Sequence, residues 1–268
     1  MSIYIGEFVG TFLMILFGGG VVAGAILKGT KSENTGWFTI AFAWGLAVTF
    51  AIYAVGSISG AHLNPAVTIG LAFGGDFAWN LVPGYVVAQM LGAFGGAALV
   101  WIFYGPHWAV TEDIDTKRAV FCTAPAIRSY SNNLFDEMVG TAILLFGLNF
   151  IGADFANGLK PLVVGALVMI IGFSLGGTTG YAINPARDLG PRLAHYLLPI
   201  RGKGHSDWQY AWVPIVGPIL GCMLGTSLFK MLYKGDFQPH YWVVIFLAVA
   251  VTVFAIIDGQ KLKEKADV

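Results

Sequence analysis

Charge is what this chain has least of. Only 11% of its 268 residues are charged, with 15 Lys and Arg set against 15 Asp and Glu, and the formal net charge is zero. A soluble domain of this length covers itself with many more ionic groups, so a water-exposed globular surface is excluded. No basic block exists to form a phosphate-binding face, which excludes a nucleic-acid partner. Two cysteines, Cys122 in a polar connection and Cys222 in an apolar run, are too few for a disulfide framework and read as free thiols. The start lacks a basic n-region and the apolar stretch from Ile3 is too long for an h-region, so no cleavable signal is expected. No nucleophile with its base, metal cluster or phosphate loop can be assembled from the motifs, and the expectation is no enzyme, no cofactor and no metal.

What is present is apolar: 56% of the residues are hydrophobic and the mean hydropathy is +0.71. A bilayer core about 30 Å thick needs roughly 20 such residues in a helix. Six segments meet that length, at 3–27, 37–57, 82–104, 134–153, 161–178 and 211–233. A seventh, Tyr241 to Ile257, is 17 uncharged residues ahead of a KLKEK cluster. It reads as a span at the lower limit of length, with a helix lying against the bundle or on the membrane surface as the alternatives. Charge-bearing connections run from Lys28 to Asn34, Gly105 to Asn133, Asp154 to Lys160 and Arg201 to Asp207. Residues 59–73 and 179–198 are too polar and short to span and too apolar for ordinary loops, and they read as re-entrant.

These two stretches repeat each other. SGAHLNPAVTIG at 59–70 aligns without gaps on TGYAINPARDLG at 179–190, an offset of 120, and EFVGT at 7–11 matches EMVGT at 137–141 in four of five positions. The chain is therefore a duplication, with repeats over about 3–104 and 134–233. Three spans per repeat is an odd number, so the second copy is inverted and the re-entrant stretches enter from opposite faces to meet near the midplane. Irregular backbone at that depth must be buried or line a wet cavity. Asn64 with Pro65 and Asn184 with Pro185 are helix starts, because asparagine caps and proline tolerates the first helical position. Two half-helices would aim their positive ends at one point and disfavour cations there. If each asparagine carbonyl is engaged by its own turn, the amide NH2 is left to donate into the lumen.

With both Asn-Pro-Ala stretches in SGAHLNPAVT and GYAINPARD, the sequence resembles the aquaporin (major intrinsic protein) family over about residues 3–234, and within it the aquaglyceroporins such as bacterial glycerol facilitators. The resemblance implies an all-α fold of six transmembrane helices plus two re-entrant half-helices, one pore per subunit and a homotetramer. It implies a channel domain at 1–234; the C-terminal hydrophobic helix and polar tail at 235–268 have no counterpart in the family core. Asn64, Pro65, Ala66, Asn184, Pro185 and Ala186 then form the central constriction. Trp44 in AFAWGLAV, Gly172 in IIGFSLGG, Tyr181 and Arg187 form the selectivity filter, in which a glycine leaves room for a polyol. Its carbon edge would slide along Trp44 and Tyr181 while its hydroxyls accept from the guanidinium.

Asp188 after the arginine, Arg192 four residues on, and Pro214-Ile215 on the sixth span favour the glycerol branch, whereas Tyr181 departs from the phenylalanine usual in bacterial facilitators. By resemblance Glu7 and Glu137 brace the irregular loops, with a proton-coupling role as the alternative, and Asp188 is grouped with them. His62 lines the pore or is a packed histidine. Glycines 18–20, 92, 95 and 96 permit close helix packing.

The function implied is passive diffusion of glycerol and other small neutral solutes, with some water, while ions and protons are excluded. A channel mainly for water or for urea, dihydroxyacetone or lactic acid is the alternative, and a coupled transporter lacks an ion site beyond the paired glutamates. The partners expected are the solute, water, the lipid bilayer and three further copies of the chain, in a bacterial plasma membrane. The cytoplasmic N-terminus is taken from the resemblance, because the lysine and arginine distribution runs against positive-inside.

Overall fold

The computed structural model describes residues 2–151 and 158–266, so the expected connection from Asp154 to Lys160 lies, through Asn157, outside the described residues. Among the described residues the chain is helical and contains no strand. The helices in chain order are α1 (Ile3–Ile26), α2 (Gly36–Ser59), α3 (Pro65–Phe73), α4 (Val82–Phe103), α5 (Gly105–Val110), α6 (Ile114–Ala119), α7 (Tyr130–Phe150), α8 (Lys160–Leu175), α9 (Pro185–Leu197), α10 (Val213–Lys234) and α11 (Pro239–Ala266).

The packing is twofold in pattern. Helix α1 lies along α4 as α7 lies along α10, and α2 and α8 close the bundle between the halves. Glycine makes these approaches possible: Gly92 and Gly96 of α4 face the α1 backbone at Phe8 and Phe12, and Gly221 and Gly225 of α10 face the α7 backbone at Met138 and Ala142. A β-carbon at any of the four would collide with a backbone carbonyl. The outside of the bundle is apolar, with Phe17, Phe38, Phe50, Phe103 and Phe246 among the exposed side chains, as a lipid-facing surface has to be.

Five of the described helices, α1, α2, α4, α10 and α11, are long and apolar enough to cross a membrane by length and composition alone. Two of the expected spans fall short of that criterion. The first two turns of α7 carry Ser131, Asn132, Asn133 and Asp136, and α8 has 16 residues, ending at Leu175 before Gly176 and Gly177. Their places in the bundle are set by packing on α10 and α2.

The stretch 105–133, expected as a connection, is instead folded in. It carries α5 and α6 and buries Trp108, Phe121 and Cys122 against the outer end of α9, with the Phe121 ring centroid 5.5 Å from that of His195. Helix α11, 28 residues long, packs in the groove between α7 and α10. Near its start Tyr241 sits against Phe73 at the end of α3, with ring centroids 5.7 Å apart. Near its other end Asp258 accepts a hydrogen bond from the Ser131 hydroxyl at the start of α7. The helix thus runs the height of the bundle and extends past the expected Ile257 limit into the lysine cluster.

Candidate solute pathway

Two buried glutamates shape the loops that lead into the half-helices. Glu7 on α1 accepts from the Ser59 hydroxyl (2.7 Å), the His62 and Leu63 backbone N–H groups (2.9 and 2.7 Å) and the Gln89 amide (2.8 Å). Glu137 on α7 accepts from the Thr179 hydroxyl (2.7 Å) and from Ala182 and Ile183 N–H (2.9 and 2.8 Å). A carboxylate buried this deeply is tolerable because its lone pairs are filled by donors. The loops need that restraint. Ala61, Leu63, Tyr181 and Ile183 all hold positive φ, between 38° and 53°, a region costly for residues with a β-carbon. With the N–H groups turned to the glutamates, the carbonyls of Ala61, His62, Tyr181 and Ala182 accept no hydrogen bond among the described residues and remain for the cavity these loops line.

At the centre the two half-helices meet end to end. Asn64 Oδ1 accepts from Ala66 N–H at 2.8 Å, and Asn184 Oδ1 accepts from Ala186 and Arg187 N–H at 3.0 and 3.2 Å, so each asparagine caps its own helix. Each amide also donates across the centre: Asn64 Nδ2 to the Ile183 carbonyl and Asn184 Nδ2 to the Leu63 carbonyl, both at 2.8 Å. One amide hydrogen per asparagine therefore ties the loops together and one is left for the lumen, where the sequence argument had left both.

A cavity of about 240 Å³ runs past these groups. Trp44, Tyr181 and Arg187 line it, as do His62, Leu71, Leu148, Asn149 and Lys160. The Arg187 guanidinium carbon lies 4.2 Å from the Trp44 ring centroid, and the guanidinium makes no hydrogen bond among the described residues. A planar cation held against an indole face keeps its N–H edge for whatever passes. Trp44 Nε1 and Tyr181 Oη are likewise buried without a partner among the described residues. The wall at this level therefore joins aromatic faces to hydrogen-bond donors, which suits a solute with carbon on one side and oxygen on the other.

Gly172 lies behind Tyr181 and is not among the residues that line the cavity; the Tyr181 ring takes the room the glycine leaves, and a β-carbon at Gly172 would lie 2.8 Å from Tyr181 Cζ. His62 lines the cavity, with Nδ1 3.1 Å from the Thr68 hydroxyl and its ring 4.7 Å from that of Phe77. Pro65, Ala66, Pro185 and Ala186 are buried in the first turns of α3 and α9. Asp188 is buried against Arg192 (2.7 Å to Nε) and also accepts from Thr123 N–H at 2.8 Å, so it ties the folded-in 105–133 stretch to α9. Arg192 spends its remaining donors on the carbonyls of Ser206, Asp207 and Thr123.

Sequence reasoning missed Gln89, Thr68, Thr179, Thr123, Asn149 and Lys160. Only Gln89 carried a signal, as a lone amide inside the apolar 82–104 run; it bridges Glu7 and Thr68.

The profile of the major intrinsic protein family matches residues 1–229. The chain is 60% identical over 234 residues to a probable glycerol uptake facilitator protein of Thermotoga maritima, covering 87% of this chain and all of that one. It is 53% identical over 252 residues to the glycerol uptake facilitator protein of Bacillus subtilis, covering 94% of this chain and 92% of that one. The X-ray structure of the aquaglyceroporin from Plasmodium falciparum superposes with a TM-score of 0.74 at 32% identity, covering 85% of this chain and 95% of that one.

Proposed function

The chain belongs to the major intrinsic protein family, and from that premise we propose that it is a passive channel for glycerol and similarly small neutral solutes, with some water. The observation that carries the solute assignment is the Arg187 guanidinium resting on the Trp44 ring with Tyr181 on the same cavity. A polyol would present C–H to the rings and hydroxyl oxygens to the guanidinium and then to the free amide hydrogens of Asn64 and Asn184. Water passing the same point is oriented by those two donors, and the two helix N-termini with Arg187 oppose cations, so protons are excluded. Glu7 and Glu137 act as loop braces in this reading, since each carboxylate is filled by fixed donors and neither offers an open coupling site.

One observation favours a second reading. Tyr181 fills the volume in front of Gly172, which narrows the filter towards a channel mainly for water. Stopped-flow light scattering on proteoliposomes separates the two: glycerol entry well above that of empty vesicles supports the polyol channel, whereas fast water with negligible glycerol would leave a water channel.

The working form is proposed to be a homotetramer in a bacterial plasma membrane with the N-terminus cytoplasmic. The broad apolar exterior of α1, α2 and α8 supports burial by lipid and neighbouring copies. Residues 1–234 form the channel domain in this reading and α11 adds a seventh span, which puts the chain's two ends on opposite sides. A tag at residue 268 labelled from outside on intact cells supports that topology; protection there refutes it.

A further inference from the structure

We infer that the width of the outer constriction is set from behind the pathway, by Trp37, Gly172 and Gly176, through the position they impose on Tyr181. The inference rests on the channel reading above and adds to it residues that the cavity does not touch. Tyr181 lines the cavity; Trp37, Gly172 and Gly176 do not, so the ring stands between them and the cavity.

The seat is tight. A β-carbon at Gly176 would lie 2.5 Å from Tyr181 Cδ1 and 2.9 Å from Trp37 Cζ2, and one at Gly172 would lie 2.9 Å from Tyr181 Oη. Two missing side chains one turn apart, at Gly172 in the last turn of α8 and at Gly176 just past its end, thus cut a slot as wide as a phenol ring. Trp37, at the start of α2, closes the slot edge-on, its ring centroid 5.7 Å from that of Tyr181 at an interplanar angle of 78°. Its indole N–H donates to the Gly172 carbonyl at 2.9 Å. Helix α8 ends at Leu175, so that carbonyl is among the last four, which lack an assured partner within the helix. Trp37 therefore locks the wall of the slot and the ring inside it with one side chain.

Backbone strain makes the lock necessary. Tyr181 sits at φ +38°, held by Thr179 and the glutamate-braced loop, and its hydroxyl has no hydrogen bond among the described residues to fix the ring. Packing alone positions it. A group added behind the ring has to drive it into the lumen, and a group removed behind it lets it retreat.

The two changes therefore have opposite signs, which general damage to the fold does not produce. In proteoliposomes tested with water, glycerol, erythritol and xylitol, Gly176→Ala is expected to lower glycerol flux roughly tenfold while water flux falls much less. Trp37→Ala is expected to raise xylitol flux relative to glycerol, and Trp37→Phe, which keeps a ring in place, to shift that ratio less. Adding Tyr181→Ser to Gly176→Ala should restore glycerol flux. Equal scaling of every solute in both single variants, or a double variant no better than Gly176→Ala, would overturn the seat. Wild-type vesicles that pass water but no polyol would overturn the glycerol reading alone; the seat is then read from water flux, which Gly176→Ala should lower and Trp37→Ala should raise.

Discussion

In α3 the residues after Asn64 are Pro65, Ala66 and Val67, and in α9 those after Asn184 are Pro185, Ala186 and Arg187. Both helices are capped by the asparagine, both are entered through left-handed backbone, and both loops hang from a buried glutamate. Beyond that shared start they differ in charge. Helix α3 continues with Thr68, whose hydroxyl meets only neutral partners: the Asn64 carbonyl, His62 and Gln89. Helix α9 continues with Asp188 and Arg192, an ion pair fully out of solvent that also pins Thr123, Ser206 and Asp207. The two halves agree where the backbone geometry is demanding and differ in the charges that follow it.

The largest expected break in the symmetry is in stability. Asp188→Asn strands the Arg192 guanidinium in the interior and should cost roughly 3–5 kcal/mol. Its α3 counterpart, Thr68→Val, loses neutral hydrogen bonds and should cost about 1–2 kcal/mol. Thermal unfolding in detergent followed by size-exclusion fluorescence ranks them, and equal losses would remove the charge asymmetry from the account.

The glutamates test the shared part. Glu7→Gln and Glu137→Gln each weaken hydrogen bonds to a charged acceptor, at about 1.5–3 kcal/mol apiece. Glu7→Gln should be the larger loss, because Glu7 also holds Gln89. A tolerated change at either site would show that its loop is braced by other means.

The smallest effect lies outside the membrane, where Arg128 donates to Asp207 (Nη1 to Oδ1, 3.0 Å) beside α9. Burial is the largest single influence and pushes the Asp207 carboxyl up, but the hydrogen bond from Arg128 and the charges of Arg128, Arg118 and Arg192 together hold the group below its ordinary value. The stability this pair adds is therefore fully present at neutral pH and is lost only as pH falls through that depressed value. Asp207 is buried but Arg128 is open to water, which screens the pair, so the loss should stay at about 1 kcal/mol. Asp207→Asn should unfold slightly earlier than wild type at pH 7, and the gap should close only as pH falls through the depressed value of the carboxyl, below the ordinary carboxylate range. A gap that persists in acid would assign the difference to something other than charge.

Much of this was legible in the sequence because the informative residues repeat. Asn64 and Asn184 at matched places imply caps, and Glu7 and Glu137 at matched depth imply one shared duty. What could not be read lies in contacts between distant parts of the chain. Nothing in the spacing shows that Tyr181 lies in front of Gly172, or that Trp37 reaches a carbonyl 135 residues away. The asparagine amides were expected to face the lumen with both hydrogens, and the crossing bond to the opposite loop exists only because two carbonyls meet there. The 105–133 stretch looked like a surface connection because its charges hide how Trp108 and Phe121 pack inward.

The central claim, that of the two half-helices α9 carries the solute-selecting group while α3 supplies matching scaffold, is tested most directly by the glycerol-to-urea permeability ratio in proteoliposomes of wild type, Arg187→Val and Thr68→Val. The account predicts a ratio shifted by roughly tenfold in Arg187→Val, which loses the donor edge lining the filter, and left unchanged in Thr68→Val. An unchanged ratio in Arg187→Val, or an equal shift in both variants, would contradict it.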